Sequence, residues 1–180
     1  MRQQKTEGII IKRNNYSEAD RLLTIFTKRL GKIRVKAAGV RKLTSRRSPH
    51  IELLNLSVVS LYQGKGMPVL TEVTCVDNFS GIKEDLSKVG FAYHVCELID
   101  GLCAENEENE VIFELLHETL TRLGSKENIV SVINEFEIEL LTILGFYRQS
   151  NTSSAIDTTS YIEQILEKKL KTKRILHKFS

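Results

Sequence analysis

Lys32-Ile33-Arg34-Val35-Lys36-Ala37 alternates a cation with an apolar residue over its whole length. Successive side chains on an extended chain point to opposite faces, so Ile33, Val35 and Ala37 share one side and the three cations the other. This is the pattern of a half-buried strand. A helix would mix both kinds on every face. Leu30-Gly31-Lys32 marks a hairpin before it, and Leu22-Leu23-Thr24-Ile25-Phe26-Thr27 supplies the strand on the other side of that turn. Further upstream, Glu7-Gly8-Ile9-Ile10-Ile11-Lys12 is short and β-branched, and Asn14-Asn15-Tyr16-Ser17 is turn chemistry. Downstream, residues 51–62 give a fourth strand centred on Val58 and Val59, and Gln63-Gly64-Lys65-Gly66 a turn. Residues 68–76 give a fifth, with Pro68 at its start, where a missing N–H does least harm. Five short strands in about 75 residues suit a small closed barrel, either the oligonucleotide-binding (OB) or the SH3-like kind.

The period changes at Gly81. Leu86, Val89, Tyr93, Cys96, Ile99 and Cys103 recur at helical spacing, and residues 104–110 form an acidic break. Val111, Ile112, Leu115, Leu116, Thr119, Leu120 and Leu123 make a second stripe, closed by Gly124. Ile129, Ile133, Phe136, Leu140, Ile143 and Leu144 make a third, ended by Gly145. Residues 151–159 read as a polar loop. Ser160-Tyr161-Ile162-Glu163 has the form of a capping box, opening a last helix that bears Ile162, Ile165, Leu166, Leu170 and Ile175. The expected class is α+β, with a barrel domain over residues 1–80 and a helical domain over 81–180.

The 180 residues, 41% of them hydrophobic, allow one or two small packed domains. No apolar run approaches the ~20 residues needed to cross a bilayer. The polar start, Met1-Arg2-Gln3-Gln4-Lys5, has no secretory pattern, so a cytoplasmic protein without membrane contact is expected. Cys75, Cys96 and Cys103 lie among apolar residues and read as buried, reduced thiols.

The net charge of +3 is unevenly spread: residues 1–80 carry +9, residues 81–150 carry −9 and residues 151–180 carry +3. From Arg21 to Pro49 there is no Asp or Glu, while Arg21, Lys28, Arg29, Lys32, Arg34, Lys36, Arg41, Lys42, Arg46 and Arg47 fall in that window. On a strand, Lys32, Arg34 and Lys36 recur about every 6.6 Å, close to the phosphate repeat of an extended single strand. The loop of residues 39–50 adds flexible cations beside Thr44, Ser45 and Ser48. These ten cations are the candidate DNA-binding residues. Tyr16 and Tyr62, beside turns, are candidates for base stacking, and Phe26 reads as core. With so few aromatics, the expected mode is backbone binding with weak sequence preference. The competing reading is an adaptor whose basic face meets an acidic protein.

An enzyme is not expected. Gly64-Lys65-Gly66 lacks the spacing and the hydroxyl residue of a phosphate loop. His50, His94, His117 and His177 make no metal-ligand spacing with the cysteines, and His94 and Cys96 do not share a helix face.

Taken in order, several segments resemble the bacterial recombination mediator family RecO. They are Glu7-Gly8-Ile9-Ile10, Tyr16-Ser17-Glu18-Ala19-Asp20-Arg21-Leu22-Leu23, Gly31-Lys32-Ile33-Arg34 and Ala37-Ala38-Gly39-Val40-Arg41, then Leu61-Tyr62-Gln63-Gly64-Lys65-Gly66 and Phe79-Ser80-Gly81-Ile82. Phe136-Glu137-Ile138-Glu139-Leu140-Leu141, Leu144-Gly145-Phe146 and Leu170-Lys171-Thr172-Lys173-Arg174 continue the likeness into the helices. The resemblance implies an OB barrel followed by a helical domain. It implies binding of single- and double-stranded DNA, strand annealing, and partnership with RecR. It also implies contact with the tail of single-strand-binding protein, assistance to RecA loading, and a place at the bacterial nucleoid. Members often carry a cysteine-bearing, zinc-finger-like insertion after the Leu-Gly-Phe position. Residues 147–160 contain no cysteine, so neither zinc nor another cofactor is expected.

Overall fold

The computed structural model describes residues 2–148 and 157–172. The chain divides into two compact units: Met1–Phe79 with Cys103–Phe113, and Ser80–Leu102 with Glu114–Ser180. The division expected at residue 80 therefore omits a return segment, since Cys103–Phe113 belongs with the strands.

In the first unit, β1 (Arg2–Tyr16), β2 (Asp20–Thr27), β3 (Gly31–Ala37), β4 (Leu56–Gln63) and β5 (Val69–Asp77) close in the order β1-β2-β3-β5-β4. This is the OB arrangement, which leaves the SH3-like alternative behind. β1 is longer than the sequence pattern indicates because it serves two neighbours. Its first half pairs β4 from Arg2↔Gln63 to Ile9↔Leu56, and its second half pairs β2 from Gly8↔Thr27 to Tyr16↔Asp20. Gly8 stands where the ladders overlap, and a Cβ there would lie 2.5 Å from Ile25 Cγ2. The barrel closes between β3 and β5 at one parallel pair, Lys36↔Val69, backed by the Lys36 amide donating to the Pro68 carbonyl.

Ile10, Leu23, Ile25, Ile33, Val35, Ala37, Val59, Leu61 and Leu70 fill the interior, joined by Val40 and Ile51 from the β3–β4 connection. Each large apolar side chain buried here contributes roughly 1.5–3 kcal/mol over leaving it in water. The expected strand from residue 51 starts later, at Leu56. Ser48–Ile51 is a 3-10 turn, and Leu54 is left-handed (φ 72°). Asn55 holds this detour by donating its side-chain amide to Pro49, and its carbonyl accepts from the Ile10 amide. The detour spends Ile51 as a plug in the core. Phe26 is buried as expected but lies outside the interior cluster.

The second unit contains α1 (Ser80–Lys83), α2 (Leu86–Leu102), most of α3 (Glu110–Gly124), α4 (Ile129–Ile143) and α5 (Thr158–Leu166). The α3 stripe is buried except Val111. On α2, Leu86 and Tyr93 are exposed, and Gly90, Ala92, Val95, Cys96, Leu98 and Ile99 are buried. A helix enclosed on several sides does not keep a single apolar stripe. α4 ends in a Schellman motif: Phe146 N–H donates to Leu141 and Gly145 N–H to Thr142, with Gly145 left-handed.

The last helix is capped by Asp157, whose side chain accepts from the Ser160 amide at 3.1 Å, so Ser160 is not the cap. Glu163 is buried and accepts from the Leu170 amide and Lys169 Nζ. Glu167, left-handed, ends the helix, so Leu170 lies beyond it. Residues 149–156, within the cysteine-free connection, and residues 173–180, with Lys173, Arg174, Ile175 and His177, lie outside the described residues.

A buried polar network ties α2, α4, α5 and the segment after α5. His94 Nε2 lies 2.7 Å from Glu137 Oε1, and His94 Nδ1 lies 2.9 Å from Thr172 Oγ1. The Thr172 hydroxyl donates to Glu97, so Nδ1 is the donor in its own bond. Thr158 donates to the other oxygen of Glu137.

Candidate nucleic-acid interface

The β3–β4 connection is a stapled structure and not a loose basic arm. Gly39, left-handed, donates its amide to Asp20 Oδ1 at 2.8 Å. Arg41 donates its amide to Ala19 and its guanidinium to the Ser17 carbonyl. Arg47 spans from Ala38 O (2.6 Å) to Leu70 O (2.9 Å). Between these anchors Lys42, Leu43, Thr44 and Arg46 are exposed on a short turn, and Leu43 is fully so. Two of the four candidate loop cations thus build the loop, and Lys42 and Arg46 are presented by it.

The β3 stripe is divided in the same way. Lys36 Nζ pairs with Asp20 at 3.0 Å and lies 5.6 Å above the Tyr16 ring. The Gly39 amide, then Lys36, hold the Asp20 carboxyl below the usual carboxylate range. Arg34 pairs with Glu105 at 2.6 Å. Lys32 departs from the expectation of an outward, solvated cation: it is only 6% exposed. The returning segment covers it, with Glu105 paired parallel to Lys32 and the Asn106 amide donating to the Lys32 carbonyl at 2.9 Å. Lys28, in the β2–β3 turn, pairs with Glu110 at 3.1 Å, while Arg29 is exposed.

Arg21, another of the ten candidate DNA-binding cations, is turned inward. It pairs with Ala37 in the same register parity as Leu23 and Ile25, so it points into the end of the barrel. There Glu52 Oε1 lies 2.5 Å from Arg13 Nη1 and 3.8 Å from Arg21 Nη1, a charge contact without hydrogen-bond alignment. Burial first, then the neighbouring charge of Arg13, pushes the Arg21 pKa down, and Glu52 opposes them.

Tyr16 and Tyr62 are both exposed, at the ends of β1 and β4. The pattern of the sequence missed Lys5. Together with Glu7, Lys28 and Arg29 it lines a shallow cleft of about 490 Å³. Its alternation with Glu7 along β1 is the available signal, and it is weak because the apolar run of β1 begins only after Glu7. Cys96 and Cys103 are buried, and burial pushes their thiols up to about 12 and about 11. Cys75 is half-buried, in contrast to the expectation. Among the described residues no three His, Cys, Asp or Glu side chains are grouped to hold a metal ion, and no helix is long and apolar enough to cross a membrane.

Residues 1–79 match the family model described as Recombination protein O N terminal, and residues 83–159 match Recombination protein O C terminal. Among similar proteins, one from Roseiflexus sp. (strain RS-1), named DNA repair protein RecO, is 40% identical over 145 residues, covering 81% of this chain and 51% of the relative. Proteins of the same name from Dehalococcoides mccartyi (37% identical; 79% of this chain, 56% of the relative) and Listeria welshimeri (30%; 80% and 56%) are also similar. The chain thus spans about half the length of these relatives.

Proposed function

Because the chain belongs to the RecO family of DNA-repair proteins, we propose that its barrel binds the backbone of single- and double-stranded DNA at a rim built from Lys42 and Arg46 with Lys36 beside it, and that the path continues along β3 toward Arg29 in the β2–β3 turn. On this reading the protein is a non-catalytic recombination mediator that anneals strands. It acts with RecR and the tail of single-strand-binding protein to help load RecA at the nucleoid. The supporting observation is the stapled turn. Arg41 and Arg47 spend their guanidinium groups on carbonyls of the fold, so Lys42 and Arg46 are held toward solvent on a fixed support. Less conformational entropy is then lost when a phosphate is met. Tyr16 and Tyr62 are exposed faces on which unpaired bases can stack.

The adaptor reading has one observation in its favour: the β3 edge already accepts an acidic stretch of polypeptide, at Glu105 and Asn106. Oligonucleotide anisotropy over a salt series separates the two. With roughly three or four phosphate contacts, log affinity for a single strand falls with log salt at a slope of about −2 to −3. Lys42→Gln with Arg46→Gln flattens that slope by roughly 1.4. A parent protein with a flat response sinks the DNA-binding reading and leaves the adaptor.

A further inference from the structure

Within the barrel unit, the acidic segment 105–110 lies along the cationic edge of β3. β3 and β5 pair only at Lys36↔Val69, and the returning chain covers the start of the remaining edge, at Gly31 and Lys32. The two backbones touch. A Cβ on Gly31 would lie 1.9 Å from the Glu107 carbonyl oxygen, and Gly31 is left-handed (φ 64°), so glycine is required there on both counts. A neutral segment would serve this purpose equally well. The one present carries Glu105, Glu107, Glu108 and Glu110. It sets Glu105 on Arg34 and Glu110 on Lys28.

We propose that segment 105–110 is a built-in competitor of nucleic acid: its carboxylates hold Arg34 and Lys28 in the free protein, and a bound phosphate backbone takes those cations over while the backbone cover of β3 stays in place. This rests on the reading of the barrel as a DNA-binding surface. The exchange is easy because the pairs lie open to water. Arg34 and Glu105 side chains are 57% and 41% exposed, and those of Lys28 and Glu110 are 33% and 60% exposed. Exposed pairs are weak and screened by salt, so they tune affinity without closing the site. The contact between Asn106 and Lys32 is made by main-chain groups and owes nothing to the carboxylates.

The test uses the full chain with Glu105→Gln and Glu110→Gln together, and oligonucleotide anisotropy at low and high salt. The charge-matched control is Glu118→Gln with Glu139→Gln, two exposed carboxylates of the second unit. The strap variant is expected to bind single-stranded DNA about three- to tenfold more tightly at low salt, with the gain shrinking as salt rises, and the control to change less than twofold. Arg34→Gln should then cost more affinity in the strap variant than in the parent. If circular dichroism shows the double variant unfolded, Glu105→Gln alone is read, with about a threefold gain expected. A folded strap variant that binds no better than the parent overturns the inference, and so does a control that gains as much. A parent that fails to bind DNA is the separate failure of the barrel reading.

Discussion

At the scale of single residues, cations of one sequence run have different tasks. Arg47 is half-buried and donates to two main-chain carbonyls. Arg47→Met should therefore lower stability by roughly 2 kcal/mol, at the lower end for lost charge-assisted bonds. Chemical denaturation checks this, and an unchanged midpoint would return Arg47 to the exposed set. Asp20 gives a pH signature. Its carboxyl titrates below the ordinary range because the Gly39 amide and Lys36 favour the charged form. Its contribution is thus present above the unfolded-state pKa and lost as pH falls through the lower folded value. Carboxyl titration by NMR should show Asp20 as a low titrator, with the Gly39 amide shifting in the same step. The inward aim of Arg21 was legible in the sequence, since it shares parity with Leu23 and Ile25. That of Arg13 was not, because a bulge between Ile10 and Lys12 breaks the alternation. The burial of Lys32 was not legible either, as its cover arrives from far along the chain.

At the scale of elements, β3 and the α3 and α4 stripes were readable because one face of each is buried and the other largely meets water, whereas β1, β2 and β4 show in the sequence as apolar, β-branched runs, since both faces are buried over residues 9–11, 23–27 and most of 56–61. Where an element is enclosed on several sides, as α2 is, the period blurs and the buried face cannot be chosen from spacing. The last helix misled in another way. Ser160 and Glu163 have capping-box spacing, yet Glu163 is taken by Leu170 and Lys169, and Asp157 caps instead. Network contacts of this kind depend on tertiary neighbours. They also carry stability: His94→Ala leaves the Glu137 carboxyl buried beside Thr158 without its ring partner, at a cost of about 1–3 kcal/mol for an unsatisfied buried polar group. His94→Leu with Glu137→Leu removes the unpartnered carboxyl and should recover much of that loss. Thermal melts of the single and double variants decide this, and equal losses would show that packing, not the polar contact, dominates.

At the scale of the molecule, the sequence shows a basic block followed by an acidic one, and the fold partly mixes them. Residues 103–113 bring four carboxylates into the barrel unit and reduce its net charge from +9 to +5. Alternation and periodicity report on neighbours within an element, so they cannot reveal this return. It has a temporal side as well. β1 to β5 are complete once Asp77 has been made, but the piece that covers the β3 edge begins only at Cys103. At ~5–20 residues per second, a growing chain carries that edge bare for roughly one to five seconds. An uncovered edge is a template for any passing strand. The nascent barrel's exposure to wrong pairing is therefore set by the pace of the ribosome, whatever the stability of the finished protein.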